Sequence, residues 1–191
     1  MRNICFVTGN QNKIIEVEKL IKNFKLISTK DLNFYDEILE TENTIKGNAF
    51  LKSSFIYNKF NINCFSDDSG LFINALGGDP GVRSARYASE ISDKEKNINL
   101  VLKNLKGEKD RSAAFKTCIC LIIDGKTNYF EGSVKGVITS KRLGSRGFGY
   151  DPIFVPEGHD RSFAEMSLED KNKISHRSIA TKKLINFLNQ K

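Results

Sequence analysis

No apolar stretch in the 191 residues approaches the roughly 20 needed for a membrane-crossing helix. The opening MRNICFVTG breaks its apolar run at Gly9, too early for a secretory leader, so a soluble, cytoplasmic protein is expected. Histidine is scarce, with only His159 and His176, and the four cysteines contain no CxxC spacing, which argues against a zinc site. Cys118 and Cys120 stand two apart in CICLII and would share one face of a strand, and all four cysteines read as buried thiols. Internal repeats, low-complexity tracts and linkers are also missing. The expectation is therefore a single α/β domain over residues 1–191.

Charge is not balanced. Thirty Lys and Arg against 23 Asp and Glu leave a net charge of +7. Many lysines lie among asparagines on helical faces, as in KEKNINLVLKNLK, which is the pattern of a solvated face. The excess also suits an anionic ligand such as a polyphosphate. A nucleic-acid-binding module is the reading from another class, and it requires basic residues on one face with aromatics interleaved. Here they are spread over several helices, and the acidic Asp67-Asp68 pair interrupts them, so no nucleic-acid partner is expected.

Periodicity places a strand near 3–7, a helix over 11–24 with Ile14, Val17, Leu20, Ile21 and Phe24 inward, and a strand and loop over 26–39. A second helix is expected over 43–60, where Thr44, Asn48 and Lys52 share one side. Gly47 inside it costs about 1 kcal/mol relative to Ala. NCFSDDSGLFINAL reads as two short strands joined at an acidic turn, followed by the Gly/Pro loop GGDPGVRSARYA. Ser92 and Glu95 form a capping box for a helix carrying Ile98, Val101, Leu102 and Leu105. Asp124-Gly125 is the turn of a hairpin, which disposes of the P-loop-like Gly125-Lys126-Thr127, since Cys120 stands where the required glycine would be. Ser167 with Asp170 caps a short turn, and the last helix covers 175–190.

Three clusters, the last made of two segments, carry candidate chemistry. TGNQNK turns out of the first strand into a helix whose unpaired N–H groups favour phosphate, with Gly9 allowing close approach. Thr8 and Asn10 add donors. Lys13 is a cation in a first turn, set against the helix dipole; the alternative is an ordinary strand-to-helix turn. SDDSG offers adjacent carboxylates that repel unless a cation sits beside them, and hard oxygen donors suit Mg²⁺; a plain polar turn is the alternative. GFGYDP and KNKISHR supply aromatics between glycines, then Asp151, Lys171, His176 and Arg177 as polar partners for a base. Packing and solvated charge are the bland accounts of the same residues.

TGNQNK, ETENTIKGNAFLKS, SDDSGLFINALGGDPGVRSARY, GFGYDPIFVPEG and AEMSLEDKNKISHR stand in one order from residue 8 to residue 177. In this the sequence resembles the inosine triphosphate pyrophosphatase family. The resemblance implies an elongated, two-lobed α/β domain around a long mixed β-sheet, with the nucleotide in the cleft between lobes, a homodimer, and dependence on Mg²⁺. The activity it implies is hydrolysis of non-standard purine nucleoside triphosphates (ITP, dITP, XTP) to the monophosphate and pyrophosphate, cleansing the nucleotide pool. Carried over by position, Thr8, Gly9, Asn10, Lys13 and Lys52 hold the phosphates, and Glu40 and Asp68 hold the metal, with Asp68 also the catalytic base. Ser69 contacts substrate, and Phe148, Gly149, Tyr150, Asp151, Lys171, His176 and Arg177 meet the nucleotide, chiefly at its base. Where the family usually reads Glu-Asn-Ala, this chain has Gly47-Asn48-Ala49. A related pyrophosphatase acting on pyrimidine nucleotides is the nearest alternative.

Overall fold

The computed structural model describes residues 2–21 and 23–190. Its elements are β1 (Arg2–Phe6), α1 (Gln11–Glu18), β2 (Phe24–Ser28), α2 (Ile45–Phe60), β3 (Cys64–Ile73), β4 (Pro80–Gly81), α3 (Lys94–Asn104), β5 (Ser112–Ile123), β6 (Lys126–Ile138), β7 (Phe154–Pro156), α4 (Leu168–Ile174) and α5 (His176–Leu188). Among the described residues seven strands pair in the order β2-β1-β3-β5-β6-β7, with β4 on β3. β1 runs parallel to β2 and β3, whereas β3–β4 and β6–β7 are antiparallel, so the α/β fold has a mixed sheet. No helix among the described residues is long and apolar enough to cross a membrane.

The chain forms two compact units. One comprises Met1–Asp68, Thr117–Gly132 and Arg177–Lys191, the other Ser69–Lys116 and Ser133–His176. In the first unit the two-residue pleat of β1 sorts its side chains onto opposite faces. Ile4 and Phe6 join Val17 of α1 and Ala180, Leu184 and Leu188 of α5. Cys5 and Val7 face the other way, with Ile56 of α2 and Phe34. Phe6 and Phe65 are register partners on β1 and β3 and stack at 4.6 Å between centroids. Full burial of each such ring contributes about 1.5–3 kcal/mol. The second unit packs Ile98, Val101 and Leu105 of α3 against Leu71 and Ile73 of β3, Phe115 of β5 and Phe154 of β7. All four cysteines are free and buried.

Several local expectations are met, and three are corrected. The hairpin turns on Asp124 and Gly125, both at positive φ, as a two-residue loop requires. Ser167 caps α4. SDDSG is not a turn: it lies inside the continuous strand β3, which runs unbroken from Cys64 to Ile73. The polar run is tolerated there because its charges are matched, as set out below. The cap of α3 is Asp93 rather than Ser92, its carboxylate accepting from the Lys96 amide at 3.1 Å. α1 stops at Glu18, and Phe24 opens β2 instead of closing the helix; Lys22, within the expected helix, lies outside the described residues. The apolar spacing misleads here because Ile21 and Phe24 serve the same core cluster as Val17 without being helical with it.

Gly70 is the tightest point of β3, since a Cβ there would stand 2.3 Å from the Gly81 carbonyl oxygen on β4. Both groups are backbone and cannot rotate aside. Gly70→Ala is therefore expected to cost about 1–3 kcal/mol, the range for overpacking. Thermal denaturation reads this as a lower Tm; an unchanged Tm would mean that β4 is not held at this separation.

Candidate active site

β1 delivers the chain to Thr8-Gly9-Asn10, where α1 begins. The Asn10 side-chain oxygen accepts from the amides of Asn12 and Lys13 at 3.0 and 3.3 Å, and Thr8 Oγ1 accepts from the Asn10 amide at 3.1 Å. A Cβ built on Gly9 would meet nothing within 4 Å. The segment thus caps its helix and leaves open space beside the cap, the arrangement a phosphate needs.

Lys13 in the first turn donates through Nζ to Asp67 Oδ1 at 2.9 Å and to the Asp67 carbonyl at 3.4 Å. Asp67 is 1% exposed. Its Oδ2 accepts from Arg177 Nε at 3.0 Å, and its carbonyl accepts from Lys52 Nζ at 2.8 Å. Arg177 completes the chain by donating through its NH1 nitrogen to Glu16 Oε2 at 2.5 Å. Glu16 of α1, Asp67 of β3 and Arg177 of α5 are all buried, so this is an ion-pair line inside the unit. Lys52 also donates to Glu40 Oε1.

Burial would raise the Asp67 pKa, but Lys13, Arg177 and Lys52 outweigh it and hold the carboxyl well below its usual range. The two lysines diverge. Desolvation lowers the Lys13 pKa, and Lys52 and Arg177 add to it against the pull of Asp67 and Asp68. Desolvation acts on Lys52 too, yet Asp68, Glu40 and Asp67 together raise its pKa. Lys13 is the ammonium that an added anion would relieve.

Asp68 faces the other side of β3. Cys64 and Ser66 point with it toward α2, where Ser66 meets Ser53, whereas Phe65 and Asp67 point toward α1 and α5. The pleat separates the adjacent carboxylates, which resolves their repulsion without requiring one shared cation. Asp68 Oδ2 accepts from Asn48 Nδ2 at 3.3 Å. Among the described residues no group of three or more His, Cys, Asp and Glu converges as a metal centre. Mg²⁺ takes one or two carboxylates and completes its shell from water and phosphate. Asp68 and Glu40, both acting electrostatically on Lys52, fit such a partial donor set.

Within the second unit, Ser69 is half-buried on β3, and the segment Phe148–Asp151 forms a cluster of its own. Asp151 Oδ2 accepts from the Phe148 amide at 2.8 Å and from Lys171 Nζ at 2.6 Å. Gly147 at φ +72° is required here, since its Cβ would stand 2.1 Å from that oxygen. Gly149 also has positive φ. Lys171 Nζ lies 5.0 Å from the Phe148 ring centroid. Phe148 is half-exposed, but Tyr150 is in the core and donates its hydroxyl to the Ser84 carbonyl. His176 stacks on Phe115 at 4.6 Å.

The structure therefore brings Lys13, Lys52, Glu40 and Arg177 onto or beside the Asp67-Asp68 strand, with Thr8, Gly9 and Asn10 at the cap of α1. It brings Phe148, Asp151 and Lys171 together in the other unit. Arg177, expected chiefly at the base, has its guanidinium on Glu16 and Asp67. Sequence reasoning missed Glu16 and gave Asn48 no role, and it took Asp67 only as the carboxylate next to Asp68 in a pair that needs a cation beside it. A glutamate beside Val17 on a packed helix face was the available signal for Glu16.

The sequence profile of the Ham1 family matches residues 4–187. The chain belongs to the Ham1 family. It is 46% identical over 186 residues to a dITP/XTP pyrophosphatase of Flavobacterium johnsoniae, covering 97% of either chain. Its fold matches the solved Ham1 protein of Staphylococcus aureus with a TM-score of 0.91 at 37% identity, covering 99% of each. The Ham1 protein of Coxiella burnetii matches with a TM-score of 0.92 at 34% identity, over the full length of both.

Replacing Asp67 by Asn would leave Lys13 and Arg177 without their shared counter-charge. A loss of about 3–5 kcal/mol is expected, as for breaking a buried pair. The folded pKa of Asp67 is depressed, so its stabilisation is present above about pH 4, near the unfolded carboxyl value, and is lost as pH falls below it. Asp67→Asn should show a shallower loss of stability between about pH 4 and 2 than the wild type. Equal slopes in urea titrations across that range would count against the charge network.

Proposed function

We propose that this chain is a single-domain, cytoplasmic, homodimeric pyrophosphatase that hydrolyses ITP, dITP and XTP to the nucleoside monophosphate and pyrophosphate. The observation that carries the reading is the pair of ammonium groups, Lys13 and Lys52, held on the strand that also bears Asp68. The names of the relatives, dITP/XTP pyrophosphatases, support the substrate class.

The α1 amides, Thr8, Asn10, Lys13 and Lys52 bind the polyphosphate, with Gly9 keeping the approach clear. Glu40 and Asp68 hold Mg²⁺, which when bound supplies neutralisation of phosphate charge and helps ionise the attacking water. Asp68 takes the water proton. The water oxygen bonds to phosphorus at the α–β linkage, the bridging bond breaks, and pyrophosphate leaves with the bonding pair. Ser69 contacts the substrate as the chain passes beyond Asp68.

The base stacks on Phe148, flanked by Gly149 and supported from the core by Tyr150. Stacking does not distinguish purines, so polar groups must. Lys171, set by Asp151, and His176 are the donors in the same unit as Phe148. A donor facing the 6-oxo group of hypoxanthine or xanthine meets the amino group of adenine as a mismatch, which rejects it by up to ~10⁴-fold. Arg177 gives two of its five N–H groups to Asp67 and Glu16 in the free protein, through Nε and one terminal nitrogen.

Three measurements test the reading. With Mg²⁺, kcat/KM should be far higher for ITP, dITP and XTP than for ATP or GTP, and comparable rates on ITP and ATP would overturn it. Asp68→Asn keeps shape but removes charge, and should lower turnover by at least ~10²-fold. Gly9→Ala should leave Tm unchanged, since its Cβ meets nothing, but should raise KM for ITP by roughly 10-fold if phosphate lies against Gly9.

A further inference from the structure

Asn48 lies one turn before Lys52 on α2, and 1% of it is exposed. A buried amide is costly unless both of its ends are bonded. Its Oδ1 accepts from the Glu42 amide at 2.9 Å, and its Nδ2 donates to Asp68 Oδ2 at 3.3 Å. Chemistry dictates this orientation, because the Glu42 N–H can only donate and an ionised carboxylate can only accept. One side chain thus bridges the segment that carries Glu40 to the carboxylate of Asp68.

Gly47 makes the bridge possible. A Cβ at residue 47 would stand 2.7 Å from Glu42 Cβ and 3.0 Å from its Cγ, so only glycine lets Glu42 come this close to the helix. Lys52 makes a parallel link from the same face, binding Glu40 Oε1 and the Asp67 carbonyl. Residues four apart on a helix are neighbours, so the segment at 40–42 is tied to β3 at two adjacent points. The Lys52 link supplies charge; the Asn48 link fixes a direction.

Resting on the functional reading above, we propose that Asn48 is a positioning residue that sets the Asp68 carboxylate against the Glu40 segment, keeping the two metal-binding carboxylates in register. It touches neither the reacting phosphorus nor the water, so its effect falls on the chemical step and on cation affinity rather than on nucleotide binding. Partners that orient metal-binding carboxylates are worth roughly 10–100-fold in affinity or activity.

The test uses the full chain with Asn48→Ala and Asn48→Asp. Mn²⁺, which takes oxygen ligands as Mg²⁺ does, is titrated without nucleotide and followed by electron paramagnetic resonance. Asn48→Ala should weaken Mn²⁺ binding and lower kcat for ITP, each by about 10–100-fold. KM should stay within ~3-fold of wild type, the pattern for an interaction made only in the transition state. Asn48→Asp retains the acceptor for the Glu42 amide but turns an oxygen toward Asp68, and should lower kcat at least as far. Wild-type kcat and Mn²⁺ affinity in Asn48→Ala would overturn the proposal, as would a loss confined to KM. Failure of both variants to fold would also overturn it, making Asn48 structural only. A wild type that does not hydrolyse ITP, with Mn²⁺ binding still weakened in Asn48→Ala, would sink the functional reading and leave the positioning role standing.

Discussion

The carboxylate of Asp67, almost wholly removed from water, must be matched by cations, and it fixes where they sit. Lys13 arrives from the start of α1, Arg177 from the start of α5, and Lys52 from the middle of α2, so three helices meet one residue of β3. Glu16 then occupies the far side of Arg177. Buried pairs of this kind are weak evidence for net stability, because desolvation offsets much of their attraction. Their effect on register is stronger. A one-residue slip of β3 would put Asp68 toward Lys13 and Arg177 and turn Asp67 toward α2, exchanging every charge contact at once.

The same line explains how a cation tolerates the first turn of α1. The dipole opposes Lys13 there by an amount of order 0.3–1 kcal/mol. An ion pair with a fully buried carboxylate is ample compensation, so the free protein does not depend on a ligand to hold Lys13. What a ligand changes is its protonation balance. Glu16, Arg177, Asp67 and Lys13 sum to zero charge, and the Lys13 pKa is nonetheless lowered by desolvation. An arriving phosphate would stabilise the ammonium without uncovering Asp67, whose second oxygen stays on Arg177.

Much of this was legible in the sequence. The strand-turn-helix at TGNQNK, the Asp124-Gly125 hairpin, the cap at Ser167 and the buried thiols follow from local rules, because a turn or a cap is decided within four residues. The family was legible too, from motifs in order. The failures share a cause. SDDSG looks like turn chemistry, and only partners far away in sequence make it a strand: Arg177 reaches Asp67 across 110 positions and Glu16 across 161. No window of local pattern contains that pairing. Ser92 and Asp93 differ by a single position, and a neighbouring carboxylate took the cap that the hydroxyl was expected to fill.

Gly47 is the case in which a local rule and the fold disagree most directly. In a helix interior glycine costs about 1 kcal/mol relative to alanine, and the sequence supplies no visible reason to accept it. The reason is three-dimensional: Cβ and Cγ of Glu42 occupy the volume of the missing side chain, and the Glu42 amide reaches Asn48. The helix limits the loss by capping at this point, since Thr44 Oγ1 accepts from the Gly47 amide at 2.9 Å and makes residue 47 part of the first turn. Any larger residue here would require the Glu42 side chain to move outward from the helix. This chain thus ties the segment at 40–42 to Asp68 through close side-chain approach at Gly47 and a single amide. The glycine and the asparagine beside it have to be understood together.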